Sequence, residues 1–301
     1  MQRRHLLTTA AALGLGTWGM TGCAMGSKQQ VYANMLPTRE LAKLEAMSGG
    51  RLGLFVRDTA TGQQAGWRSQ ERFPLCSTFK TLLAAHALNE VQHGRLPLDR
   101  TFQYRKADLV PWSPITEKHA DTEAGMTLPQ LCEAAVVVSD NTAANLLLKA
   151  TGGPEGLTAW LRLMGDHQTR LDRFEPELNT AVKGDERDTT TPAAMLGSLQ
   201  KLLVGTVLPE AERNLLLQWL VASRTGDKRL RAGMPAEWKA GGKTGSGENG
   251  TANDTLIVWP TTEAKPLLVT AYFTGSHLDA AGRDAVLAQV GDAVKRWYLA
   301  L

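Results

Sequence analysis

Strand patterns occur at the two ends of this chain and helical periodicity fills the long region between them, about residues 77–222; that arrangement restricts the fold more than any other feature. Near the start, Arg51 to Thr59 alternates Leu52, Leu54 and Val56 against Gly53, Phe55 and Arg57. Thr61-Gly62 then turns the chain into a second short strand, so a hairpin is predicted. Trp238 to Gly245, Thr255 to Trp259 and Leu267 to Phe273 carry strand patterns again. Helices are predicted at Leu36 to Met47, stopped by Gly49-Gly50, and at Ala280 to Leu299. In the middle, Leu82, Leu83, His86 and Leu88 keep helical spacing before Gly94, and a second helical run extends from Leu131 to Ala150. The expected fold class is α+β: an antiparallel sheet built from both chain ends with flanking helices, plus an inserted all-helical subdomain. The α/β part would span about 30–68 and 220–301 and the helical part about 69–219, with a cleft between them as the natural site.

Residues 1–22 read as an export signal and not as part of that fold. Arg3 and Arg4 precede an apolar stretch, Leu6 to Met20, too short and too broken by Gly and Thr for a membrane anchor. The arginine pair is similar to a twin-arginine signal and equally to a general secretory one. Met20-Thr21-Gly22-Cys23 resembles a bacterial lipobox, in which Cys23 would carry the lipid and begin the mature chain; cleavage after Ala24 or shortly beyond is the alternative. Either route leaves a single catalytic-sized domain, 23–301, outside the cytoplasm.

With 43% hydrophobic and 21% charged residues, the composition excludes collagen-like and disordered classes, and three cysteines cannot build a disulfide framework. The formal charge of +3 raises a nucleic-acid or membrane-surface reading, but without residues 1–22, which hold Arg3 and Arg4, it falls to +1. Lys and Arg form no run. The six histidines lack metal-ligand spacing, so neither a metal nor another cofactor is expected.

Ser77-Thr78-Phe79-Lys80 places a hydroxyl and an amine three residues apart, on one helix face, where the amine can influence the hydroxyl proton. The same spacing at Ser198 and Lys201 lies inside a helical run. Phe73-Pro74-Leu75, in contrast, sets Ser77 at a helix N-terminus, whose free N–H groups favour developing negative charge. Ser139-Asp140-Asn141 adds a second hydroxyl and a carboxamide. Lys243-Thr244-Gly245 adds a second cation on a strand, with a glycine that would let a ligand approach the backbone. Arg173 to Asn179 and Gly184 to Asp188 are too polar and too broken by Pro and Gly for helix; the loop they form carries Glu175 and Asn179 four residues apart.

In this order the motifs resemble the S-x-x-K, S-D-N and K-T-G set of the class A serine β-lactamases. The resemblance covers about residues 36–300 and extends to Trp112-Ser113-Pro114, Thr142-Ala143-Ala144-Asn145 and Asp188-Thr189-Thr190-Thr191-Pro192. It implies a periplasmic hydrolase of small β-lactam antibiotics, expected to act as a monomer without nucleic acid. By the same resemblance Ser77 would open the lactam to an acyl-enzyme, with the Ser77 and Ser246 N–H groups holding the oxyanion. Either Lys80 or, through a water, Glu175 would take the Ser77 proton. Ser139 would relay a proton to the departing nitrogen, and Glu175 with Asn179 would hold the deacylating water. Lys243, Thr244, Gly245, Ser246 and Arg229 would receive the substrate carboxylate, Asn141 the acylamino side chain, and Trp112 would wall the cleft. Arg229 is chosen because Ala252 stands where other members bring their arginine. Asp140 and Asn145 are expected to be architectural. Arg173 and Asp188 would close the loop by a salt bridge, and Glu175–Pro176 would be cis.

The chain also departs from the family. Cys76 precedes the nucleophile as in class A carbapenemases, whose partner cysteine would stand at Gly247; Cys132 resembles a cysteine that other members bridge to the position of Ala84. With both partners missing, two free buried thiols are predicted. Gly242 replaces the usual acidic residue before Lys243. Two other readings stand beside it: a peptidoglycan DD-peptidase, which shares S-x-x-K, S-x-N and K-T-G but lacks the Glu175/Asn179 loop, and a non-hydrolytic penicillin sensor, which stays acylated.

Overall fold

The computed structural model describes residues 36–301, so the predicted export signal 1–22 and Cys23 lie outside the described residues. Helix α1 (Thr38–Ser48) ends where Gly49 takes a φ of 64°. Strands β1 (Arg51–Asp58) and β2 (Gln64–Trp67) form the predicted hairpin. The chain continues through β3 (Phe73–Pro74), a 3-10 turn at Cys76–Thr78 and the buried helix α2 (Phe79–Gln92). Strand β4 (Thr101–Phe102) pairs with β5 (Met126–Thr127), followed by α3 (Leu128–Val137), α4 (Asn141–Ala150) and α5 (Gly153–Leu163). After a long loop, β6 (Thr189–Thr190) pairs with β3 and leads into α6 (Pro192–Leu203) and α7 (Glu210–Ala222). Strands β7 (Lys239–Gly247), β8 (Thr251–Trp259) and β9 (Leu267–Thr274) precede the closing helix α8 (Ala280–Leu299).

One five-stranded antiparallel sheet, ordered β2-β1-β9-β8-β7, joins the two chain ends, with β1 paired to β9 from Arg51 opposite Thr274 to Asp58 opposite Leu267. Each sheet face has its own core. Helices α1 and α8 cover one face, where Leu41, Leu52, Val56, Val269 and Leu287 pack together. The helical region covers the other through Phe73, Phe79, Leu83, Leu199 and Tyr272. The α+β class expected from the sequence is the one observed. Burial on both faces explains why β9 reads as a near-continuous apolar run and not as an alternation.

Two expectations are corrected. Strand β8 starts at Thr251 and not Thr255, because Asn253 and Asp254 interrupt the apolar pattern while sitting inside; Asn253 Nδ2 donates to Pro74 O at 2.8 Å and Leu75 O at 3.1 Å. The run from Leu131 to Ala150 is two helices. It breaks at Ser139, whose φ is 64°, and α4 restarts on an Asp140 cap that accepts from Ala143 N at 2.9 Å. A helical period continues across the break, but a left-handed residue cannot.

Candidate active site

The nucleophile candidate sits where three elements meet. Ser77 lies in the 3-10 turn that runs straight into α2, after Cys76 at a φ of 42°, an uncommon conformation for a residue with a Cβ. Strand β7 is the sheet edge, and an edge strand keeps backbone groups unpaired on its outer side. Gly245 lets the two approach: a Cβ there would lie 2.9 Å from Leu75 O and 3.1 Å from Cys76 Cβ. The missing side chain therefore admits the segment that carries Ser77.

Two lysines are completely buried here. Lys80 Nζ donates to Ser139 O at 2.9 Å and Asn141 Oδ1 at 2.5 Å and sits 2.9 Å from Glu175 Oε1, with Ser139 Oγ at 3.4 Å. Ser77 is not among these partners, although the sequence spacing suggested it. Three strong acceptors around one nitrogen require three donors, which only the ammonium form supplies. Burial pushes the Lys80 amine below its ordinary value and the Glu175 carboxylate opposes that push. Lys243 Nζ donates to Ser139 Oγ at 3.0 Å and Thr244 O at 3.0 Å; burial, and then the charge of Lys80, hold it well below its ordinary value. The Ser139 hydroxyl thus lies between two amines.

Glu175 is held from three sides. Asn145 clamps its backbone, donating from Nδ2 to Glu175 O and accepting from Glu175 N, both at 2.9 Å. Asn179 Nδ2 donates to Glu175 Oε2. Asn179 Oδ1 is buried and accepts no hydrogen bond from the protein, while the buried Glu175 Oε1 faces the Lys80 amine. The Glu175–Pro176 bond is cis, and Asp188 closes the loop, accepting from Arg173 Nε at 2.6 Å and from the Asp172 and Arg173 amides at 2.7 and 3.0 Å. The loop is also tied to the end of β7, where Glu248 N donates to Asn179 O at 2.9 Å.

Arg229 lies beside β7 with most of its donors already engaged: Nε to Asp284 Oδ1 at 2.8 Å, Nη1 to Gly245 O and Asn253 O at 2.8 and 2.7 Å, and Nη2 to Ser246 Oγ at 2.7 Å. It supplies a cation and orients the exposed Ser246 hydroxyl. Thr244 Oγ1 donates to Thr225 Oγ1 at 2.8 Å. Asn141 is engaged at both ends, since its Nδ2 donates to Pro111 O at 2.8 Å while its oxygen meets Lys80. Trp112, 67% exposed, is pinned by Nε1 donating to Val138 O at 3.0 Å. Asp140 accepts four bonds, from Ile115 N, Thr116 N, Thr116 Oγ1 and Ala143 N. The second serine–lysine pair is bonded elsewhere, Ser198 Oγ to Asp166 Oδ2 at 2.8 Å and Lys201 to Met164 O. Asn253 and Asp284, which hold the nucleophile segment and Arg229, were not found by sequence reading; no local pattern marks them.

Cys76 and Cys132 are both free and buried, and burial pushes both thiols up. A Cβ on Gly247 would lie 2.7 Å from Cys76 Sγ and 2.6 Å from Asn179 O. Gly247→Cys is therefore expected to bridge to Cys76 under oxidising conditions while displacing the Asn179 carbonyl. The denatured variant should then show one titratable thiol fewer than the wild type; one more would mean that no bridge formed.

A hydroxyl at a helix start, set among buried amines and a clamped carboxylate, is suited to acyl transfer through a serine. The sequence matches the Beta-lactamase enzyme family over residues 36–298. It is 46% identical over 293 residues to beta-lactamase AST-1 of Nocardia asteroides, covering 95% of this chain and 93% of that one. It is 48% identical over 254 residues to the carbapenem-hydrolyzing beta-lactamase KPC of Klebsiella oxytoca, covering 84% and 86%. Among solved structures, the class A beta-lactamase of the last common ancestor of Gram-negative bacteria superposes with a TM-score of 0.83 at 59% identity, covering 85% of this chain and 97% of that one. This chain belongs to the class A serine β-lactamases, enzymes that hydrolyse β-lactams.

Proposed function

We propose that Ser77 is acylated by penicillins and cephalosporins and that Glu175 and Asn179 hold the water that releases the acyl group. The observation that carries this reading is the pair of buried acceptors beside the nucleophile turn, Asn179 Oδ1 with no protein donor and Glu175 Oε1 with the Lys80 amine 2.9 Å away. A water donating to both would have its lone pair free to attack an ester. Because Lys80 is an ammonium in this arrangement, Glu175 is also the base that takes the Ser77 proton through water. Ser139, between Lys80 and Lys243, returns a proton to the lactam nitrogen, since the adjacent Lys80 ammonium makes its hydroxyl a better donor. The Ser77 and Ser246 N–H groups receive the oxyanion, and Lys243, Thr244, Ser246 and Arg229 the substrate carboxylate. The chain lacks the bridge from Cys76 that carbapenemases carry, which favours penicillins and cephalosporins over carbapenems. The signal-like residues 1–22 and Cys23 support export to the periplasm with a lipid tether at Cys23.

Asn179→Ala tests the water-holding role. Acylation is expected to survive and deacylation to slow, so kcat and KM for benzylpenicillin both fall, by about 10-fold to 100-fold, with kcat/KM nearly kept. A fall in kcat/KM at unchanged kcat would place Asn179 in substrate binding instead.

A further inference from the structure

Asp254, on β8, is completely buried and poorly satisfied. Its Oδ2 accepts one long hydrogen bond, from Leu230 N at 3.2 Å, and its Oδ1 accepts none. It stands opposite Thr244 in the β7–β8 register, and a Cβ built on Gly226 would lie 3.3 Å from both carboxylate oxygens and from Thr244 Cγ2. The one bond it accepts fixes the residue after Arg229, and the carbonyl of the residue before it, Asn253, receives Arg229 Nη1. Asp254 is thus wired to both halves of the carboxylate site, the strand and the cation.

The charged groups that face it are Arg229 and Arg231 from the turn at its back and Lys243 from β7. Among the described residues none of these forms an ion pair with it; Arg229 pairs with Asp284 and Arg231 with Asp227. Burial pushes the Asp254 carboxyl up to about 7, with the Arg229 charge opposing.

We propose that Asp254 is a positioning residue whose proton sets how tightly the Thr244 strand and Arg229 hold the substrate carboxylate. Protonated, it is a neutral filler behind Thr244. Ionised, it puts a negative charge behind the cations that receive an anion and draws their field away from the cleft. The inference rests on the reading of Lys243, Thr244, Ser246 and Arg229 as the carboxylate site.

The test is the pH dependence of kcat and KM for benzylpenicillin, from about pH 5.5 to about pH 8.5, in the wild type and Asp254→Asn. Wild-type KM is expected to rise about threefold to tenfold through neutrality at constant kcat, and the variant to keep the low KM throughout. The same step in Asp254→Asn, which would assign it to Lys243, or a step in kcat, overturns the proposal. Arg229→Ala separates the two readings: an unchanged KM at low pH refutes the carboxylate site itself, whereas a raised KM beside a wild type without a step refutes only the proton. Should Asp254→Asn fail to fold, infrared pH-difference spectra of the wild type decide: a protonated-carboxyl band lost through neutrality supports the assignment, and its absence throughout overturns it.

Discussion

Glu175→Gln is expected to stop the enzyme halfway, with benzylpenicillin bound covalently to Ser77 and kcat lower by about 10³-fold. In the proposed mechanism the carboxylate does two jobs that respond differently to its loss. Release of the acyl group needs a base at Glu175 Oε1, and the amide cannot supply one. Acylation has a substitute: Lys80 stays buried but loses the anion 2.9 Å away that keeps it protonated, so more of it becomes a neutral amine. Stopped-flow kinetics with intact-mass detection would show a rapid rise to one adduct per chain that persists for many wild-type turnover times. A variant that fails to acylate at all would mean that Lys80 cannot take over, and that Glu175 alone serves both steps.

Lys80→Ala is expected to fail earlier and to cost stability as well. The lysine nitrogen satisfies Ser139 O and Asn141 Oδ1 and neutralises Glu175, so its removal strands a buried carboxylate and two acceptors at once. Breaking such a pair costs about 3 kcal/mol of folding free energy. Glu175 loses its buried cation partner, and Ser139 loses one of its flanking amines. Acylation should slow by about 10³-fold to 10⁴-fold, with no adduct accumulating because the first step has become the slow one. Single-turnover measurements check this; accumulation of adduct in Lys80→Ala would show that the lysine matters for release and not for attack.

These contrasts also mark what the sequence makes legible. Ser77 and Lys80, Ser139 to Asn141 and Lys243 to Gly245 stand out because their chemistry lies in local spacing, and Glu175 and Asn179 because a polar, Pro-broken loop must lie at the surface of the helical region. The sheet from both chain ends follows from the alternation at 51–59 and the strand patterns at 238–245, 255–259 and 267–273. What stays hidden is whatever depends on the pairing of distant segments. Asn253 and Asp254 look like an interruption of a strand until the register places them opposite Gly245 and Thr244. Nothing beside Gly245 in the sequence shows that Leu75 and Cys76 pack against it. Lys80 reads as the partner of Ser77 on a helix face, yet tertiary acceptors from α4 and the loop draw its amine away. In each case the deciding contact joins segments far apart in sequence, which one-dimensional periodicity does not record.

The central claim is that hydrolysis passes through an ester on Ser77 that water then cleaves. Quenched-flow mass spectrometry of the wild type with benzylpenicillin, followed by peptide mapping, tests it most directly. The predicted result is a transient mass increase of one penicillin on the peptide bearing Ser77, forming faster than kcat and disappearing as substrate is exhausted. Turnover with no adduct, an adduct mapped to Ser139, or an adduct that outlives the substrate would contradict it.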